Sequence, residues 1–199
     1  MSATLTSFLA ALFPTTLTPA TLAGVLALGA CCAWPLLESR RHILAVQVLS
    51  SILYAAHYGL LGATTAAAMC LAGATQGVLA RSIADPRRRA LAVGATVVVC
   101  LGVTALTWQG LPSLLAQCGQ ILSAVGRLRR RPQSIRLSFL GSEAFWTTHN
   151  ALVGSFWGLM GDTLSVTAIL IGLWRGWRHW RAAVAHFPRL LGRRAVPAE

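Results

Sequence analysis

The chain has 199 residues, 55% hydrophobic and only 11% charged, against about 25% charged in an ordinary soluble domain. With a mean hydropathy of +0.63, this composition excludes a soluble globular domain and a disordered one. The formal charge of +12 rests on 17 basic residues, all arginine, against 5 acidic ones; the arginines punctuate apolar runs and form no single patch, so no nucleic-acid partner is expected.

In chain order, residues 1–19 carry no positive charge, which argues against a secretory signal, and the apolar stretch 5–13 is too short to span a bilayer. Pro14 and Pro19 break it, so 1–19 reads as a short outer-surface arm. Seven mostly apolar runs follow, at 20–37, 43–61, 63–80, 90–108, 111–126, 137–153 and 156–174. Each approaches the length that crosses a hydrocarbon core of about 30 Å. The segment 176–199 is a basic tail. Trp174, Trp177 and Trp180 alternate there with Arg175, Arg178 and Arg181, the pattern of an interfacial belt and an amphipathic helix on anionic lipid headgroups.

Arg40 and Arg41 fall between runs one and two, Arg81 and Arg87–Arg89 between three and four, and Arg127, Arg129–Arg131 and Arg136 between five and six. The remaining arginines follow run seven. The alternate loops carry none. With seven spans every basic loop lies on one side, which the positive-inside rule makes cytoplasmic. The expected fold class is therefore all-α, a polytopic membrane protein of seven transmembrane helices with its N-terminus outside and its C-terminus in the cytoplasm.

A weak internal repeat shows in runs two and six. Tyr54-x-x-His57-x-x-Leu60-x-Gly62 matches Trp146-x-x-His149-x-x-Leu152-x-Gly154, and Ser50/Ser142 and Ile43/Ile135 keep the same spacing. Three spans per copy is an odd number, so a further span between the copies restores their orientation. The organisation expected is 3+1+3: a three-helix repeat over 20–81, a linker helix over 90–108 and a second repeat over 111–175, the repeats parallel about the membrane normal as in SWEET-type facilitators.

His57-Tyr58-Gly59-Leu60-Leu61-Gly62, Leu111-Pro112, Trp146-Thr147-Thr148-His149-Asn150 and Gly154-Ser155 resemble the YgjV family of bacterial inner membrane proteins, over roughly residues 22–177. The resemblance implies a small, membrane-embedded protein of SWEET-like architecture, with no established biochemical activity and no catalytic residue to transfer. The long basic tail with its three tryptophans departs from the family pattern.

Polar residues inside the spans are the remaining chemical clue. Gln47, Ser50, Ser51, Tyr54, His57 and Tyr58 share one face of run two, and Ser142, Glu143, Trp146, His149 and Asn150 one face of run six. Ser113, Gln117 and Gln120 stripe run five, and Asp162 and Ser165 run seven. Such groups can simply bond helices together, and Glu143 can alternatively pair with Arg136, two turns away. If the stripes converge, Tyr54, His57, Tyr58, Gln117, Gln120, Trp146, His149, Asn150 and Asp162 line a solute path. Counting helical rise from the arginines puts His57, His149 and Asp162 at similar depth, so Asp162 is expected to meet His149, Asn150 or His57.

The five cysteines lie in apolar runs without zinc-ligand spacing, so they read as packing residues, and no metal or cofactor is expected. No phosphate loop, dinucleotide glycine pattern, H-E-x-x-H or G-x-S-x-G occurs, so no enzyme is expected. The sequence favours a facilitator of a small polar solute; the alternative is a non-transporting assembly or regulatory subunit acting through the basic tail. The partners expected are the lipid bilayer, a small polar solute and anionic headgroups, with a homo-oligomer left open.

Overall fold

A computed structural model of the chain describes residues 18–191, with side chains as far as Arg178. The arm at 1–17, and the side chains of Trp180 and the arginines beyond Arg178, lie outside the described residues. Every described element is helical. Helix α1 covers Pro19–Ala33, with Thr18 as N-cap (its hydroxyl accepts from Thr21 N at 3.1 Å) and Pro19 in the first turn, a position where proline's missing donor costs nothing. A 3₁₀ turn at Trp34–Leu36 leads to α2, Arg40–Leu60. Helix α3 is Thr64–Ser82 and α4 is Pro86–Leu106. Helix α5 is Leu111–Leu128, α6 is Pro132–Leu152 and α7 is Phe156–Leu191.

Each of the seven apolar runs is thus a helix, with shifted ends. The fourth starts at Pro86 and not at 90, because Asp85 caps it (Oδ1 accepts from Arg88 N at 2.7 Å) and Pro86 opens it. The sixth starts at Pro132 and not at 137, again on a proline. Run seven and the start of the tail form one continuous helix.

Four helical stretches are long and apolar enough to cross a membrane: Pro19–Leu36, Arg40–Leu60, Pro86–Leu106 and Phe156–Arg178. Helices α3, α5 and α6 fall short on that measure. Their polar side chains are turned inward: Gln76 on α3, Gln117, Gln120, Ser123 and Arg127 on α5, and Ser142, His149 and Asn150 on α6 are all buried. An average over all faces penalises a helix whose polar groups meet other helices.

Connections of three to six residues make consecutive helices antiparallel. The loops after α1, α3 and α5 therefore gather at one end, here termed the arginine end. Helix α2 packs between α1 and α3, and α6 between α5 and α7. The two groups meet through α1 against α7 and α3 against α5. Helix α4 touches α3 and α5 and leaves its outer face uncovered: Leu91, Val98, Val99 and Leu106 are 64–88% exposed.

Arg127 and Arg136, expected in the loop between runs five and six, are instead inside α5 and α6 and each 4% exposed. The physical reason is that carbonyls receive them. Arg136 donates from Nε to Pro35 O (2.8 Å) and from Nη2 to Leu37 O (2.7 Å). It does not pair with Glu143. Arg40 makes the reciprocal contact, donating to Arg127 O (3.0 Å) and Arg129 O (2.9 Å), and to Ala80 O (3.1 Å).

Candidate functional site

Between the two helix groups lies a cavity of about 90 Å³. It receives side chains from α1, α2, α3, α5, α6 and α7, and none from α4. On α2 its wall follows Gln47, Ser50, Ser51, Tyr54 and Tyr58, a helical face about 16 Å long at 1.5 Å per residue. Opposite stand Gln120, Ser123 and Arg127 of α5, Ser142, Glu143 and Trp146 of α6, and Asp162 of α7.

At the arginine end the cavity gives way to an apolar cluster of Trp34, Ile43, Ile135, Phe139 and Ile169. Trp34 and Phe139 pack with ring centroids 4.9 Å apart. The Arg40 and Arg136 contacts lie beyond that cluster. At the other end Tyr54, Tyr58 and Trp146 stack in series, with centroid separations of 5.8 and 6.3 Å.

A hydrogen-bonded chain crosses between the groups there. Tyr58 OH donates to Asn150 Oδ1 at 2.7 Å, and Asn150 Nδ2 donates to Asp162 Oδ2 at 2.8 Å. Asp162 thus meets a polar partner from another helix, as its depth suggested. Glu143 lines the same cavity. Glu143 Oε1 accepts from Ser165 Oγ at 2.7 Å. Nearby, Ser123 donates to Ser142 Oγ and Ser142 to Gly119 O, both at 2.8 Å.

Four of the nine expected path residues are not on the cavity wall. Gln117 faces α4, where its Oε1 accepts from Thr104 Oγ1 at 2.8 Å. Asn150 sits behind the wall as the bridge just described. His57 and His149 reach helix starts: Nδ1 of each is 2.9 Å from a carbonyl, Ala20 O and Pro112 O respectively. A carbonyl can only accept, so each Nδ1 carries the hydrogen. His57 Nε2 then accepts from Ser155 Oγ at 3.4 Å.

The sequence argument had not placed Arg127 or Gln76 in the site. Gln76 Oε1 accepts from Gln120 Nε2 and from Arg127 Nη1, both at 3.1 Å, and its Nε2 donates to Thr96 Oγ1 at 2.8 Å. The signal was present for Arg127, which continues the Gln117, Gln120 and Ser123 face of α5. Several buried polar atoms of the wall have no hydrogen-bond partner: Gln47 Oε1 and Nε2, Tyr54 OH and Arg127 Nε.

Many of these features recur at the spacing of 92 residues that separates Tyr58 from Asn150. The starts of α1, α2 and α3 correspond in this way to those of α5, α6 and α7. So do the two histidine–carbonyl contacts, and the turn glycines Gly62 (φ 75°) and Gly154 (φ 66°). The carbonyls held by Arg136, of residues 35 and 37, correspond to those held by Arg40, of 127 and 129.

The Imp-YgjV family model, described as a bacterial inner membrane protein, matches residues 19–180. The chain belongs to this family. The match begins at the first residue of α1 and includes every cavity-lining residue. No curated protein and no solved structure matches the chain.

Proposed function

We propose that this family member is a multi-pass carrier or facilitator for a small polar solute, built as two three-helix repeats joined by α4, with the solute site in the cavity between them. One observation carries the reading: buried polar atoms on the wall, above all both amide atoms of Gln47 and the Tyr54 hydroxyl, have no partner. A buried unsatisfied group costs about 1–3 kcal/mol. Gln76 and Asn150, which bond helices together, have partners at both amide atoms. Water or a polar solute in the cavity would satisfy the orphans.

The repeat supports alternating access about the cavity. In this state the arginine end is closed by the Trp34–Phe139 cluster and by the crossed Arg40 and Arg136 contacts. On the positive-inside rule the arginine end is cytoplasmic and the N-terminus outside. Trp174 with Arg178 stacked 4.8 Å over it then sits at the inner interface, on anionic headgroups.

The test is flux. The purified full chain in proteoliposomes is offered labelled glucose, xylitol, glycine and β-alanine. Uptake of at least one well above protein-free vesicles is expected. Background uptake of all four, with the protein folded, refutes transport of this solute class. Single cysteines at Gln109 and Ser134 in a cysteine-free background report topology: an impermeant reagent on intact cells should label only Gln109→Cys. Labelling of both refutes the seven-span orientation.

A further inference from the structure

The geometry points to a zwitterion as the occupant: a small amino acid whose carboxylate meets Arg127 and whose ammonium meets the Glu143–Asp162 pair. This rests on the proposed solute site and names the class of solute it takes.

Arg127 is the wall's cation. It is 4% exposed, yet among the described residues no carboxylate pairs with it. Its protein contacts are the Gln76 amide oxygen at one nitrogen and the face of Phe139, 5.3 Å away. Gly73, without a side chain, leaves room beside the guanidinium. A guanidinium stays charged in any protein environment, and an unpaired buried charge is costly. A bidentate carboxylate is the group that best fits its free donors.

The wall's negative charge lies elsewhere. Glu143 and Asp162 are the two acidic residues among those that line the cavity. Arg127 is four residues nearer the arginine end than Ser123, and Ser123 bonds Ser142, the neighbour of Glu143. Arg127 and Glu143 are therefore offset by roughly 7 Å of helix rise. The protein keeps a cation and an anion on one small cavity without joining them. A ligand carrying the opposite charges at its two ends neutralises both. A neutral polyol leaves both charges unpaired, and a simple carboxylate or amine compensates only one. A cavity of about 90 Å³ suits a small solute such as glycine or β-alanine.

The experiment uses the full chain in detergent and in proteoliposomes. Binding of β-alanine, propionate, propylamine and xylitol is read by thermal shift and tryptophan fluorescence. β-Alanine should bind at least tenfold more tightly than the other three, and Arg127→Gln should weaken it at least tenfold. Xylitol binding as well as β-alanine, or undiminished β-alanine binding by Arg127→Gln, overturns the inference. If Arg127→Gln fails to fold, the Glu143→Gln/Asp162→Asn variant decides. It should lose its preference for β-alanine over propionate by at least tenfold, and an unchanged preference overturns the inference. Flux of xylitol or glucose without β-alanine binding removes only this inference. Absence of both binding and flux across all probes removes the proposed function with it.

Discussion

Replacing Asn150 with alanine should destabilise the protein by about 2–5 kcal/mol. Asn150 is 1% exposed and makes two hydrogen bonds, one accepted from Tyr58 OH and one donated to Asp162 Oδ2. Hydrogen bonds between membrane helices average about 0.6 kcal/mol and reach about 1.7; a bond to an ionised carboxyl is worth about 1.5–3. Their sum gives the range, and the hydroxyl and carboxyl left behind keep it from falling lower. For a chain of this size each kcal/mol moves the midpoint by about 2–4 °C. Thermal unfolding in detergent, followed by tryptophan fluorescence, should show a drop of about 4–20 °C. A double-mutant cycle with Tyr58→Phe isolates the inter-group bond and should give a coupling of about 0.6–1.7 kcal/mol. A loss below about 0.5 kcal/mol for Asn150→Ala, or a coupling near zero, would refute the view that this bond joins the two helix groups.

Gly158→Ala places a methyl group where the Asn150 amide now lies; it should cost about 1–3 kcal/mol as overpacking, and the loss should shrink in an Asn150→Ala background. Gly62→Ala and Gly154→Ala force a side chain onto backbones at φ 75° and 66°, so each should cost about 1–2 kcal/mol by SDS-titrated unfolding, with equal costs if the two turns do the same work. Val98→Asp sets a carboxylate on the uncovered face of α4, where Val98 is 68% exposed; an insertion penalty of about 2.5–3.5 kcal/mol should lower the membrane-inserted yield, and an unchanged yield would refute contact between that face and lipid.

The helices were legible because apolar runs bounded by arginine, proline and glycine leave few other ways to satisfy a backbone. The spacing shared by Tyr54-x-x-His57 and Trp146-x-x-His149 was legible too, since one helical face repeats in both. Arg127 and Arg136 were misplaced because counting charges treats every arginine as a loop marker. What decides is whether acceptors wait inside. Pro35 O and Leu37 O wait for Arg136, and Gln76 for Arg127, and a sequence does not display which carbonyls a fold leaves free. His57 and His149 illustrate the reverse error. Their residue type suggested a solute path, while each spends a ring nitrogen on a helix-start carbonyl. Asp162 was placed by depth alone, because distance along a straight helix transfers directly to height.

The hydrogen bond from Tyr58 to Asn150 joins positions 92 residues apart, which on the repeat proposed above are one and the same position in the two copies. Equivalent positions can touch only on the axis that relates the copies. In an ancestor made of two identical half-length chains, this site would have set a residue against itself. Two tyrosines there compete for one role, and two asparagines must choose which flips. A tyrosine facing an asparagine removes the choice, with donor on one side and acceptor on the other. On that repeat a single chain frees the two halves to differ at this place, so that each completes the other in a way neither could complete a copy of itself.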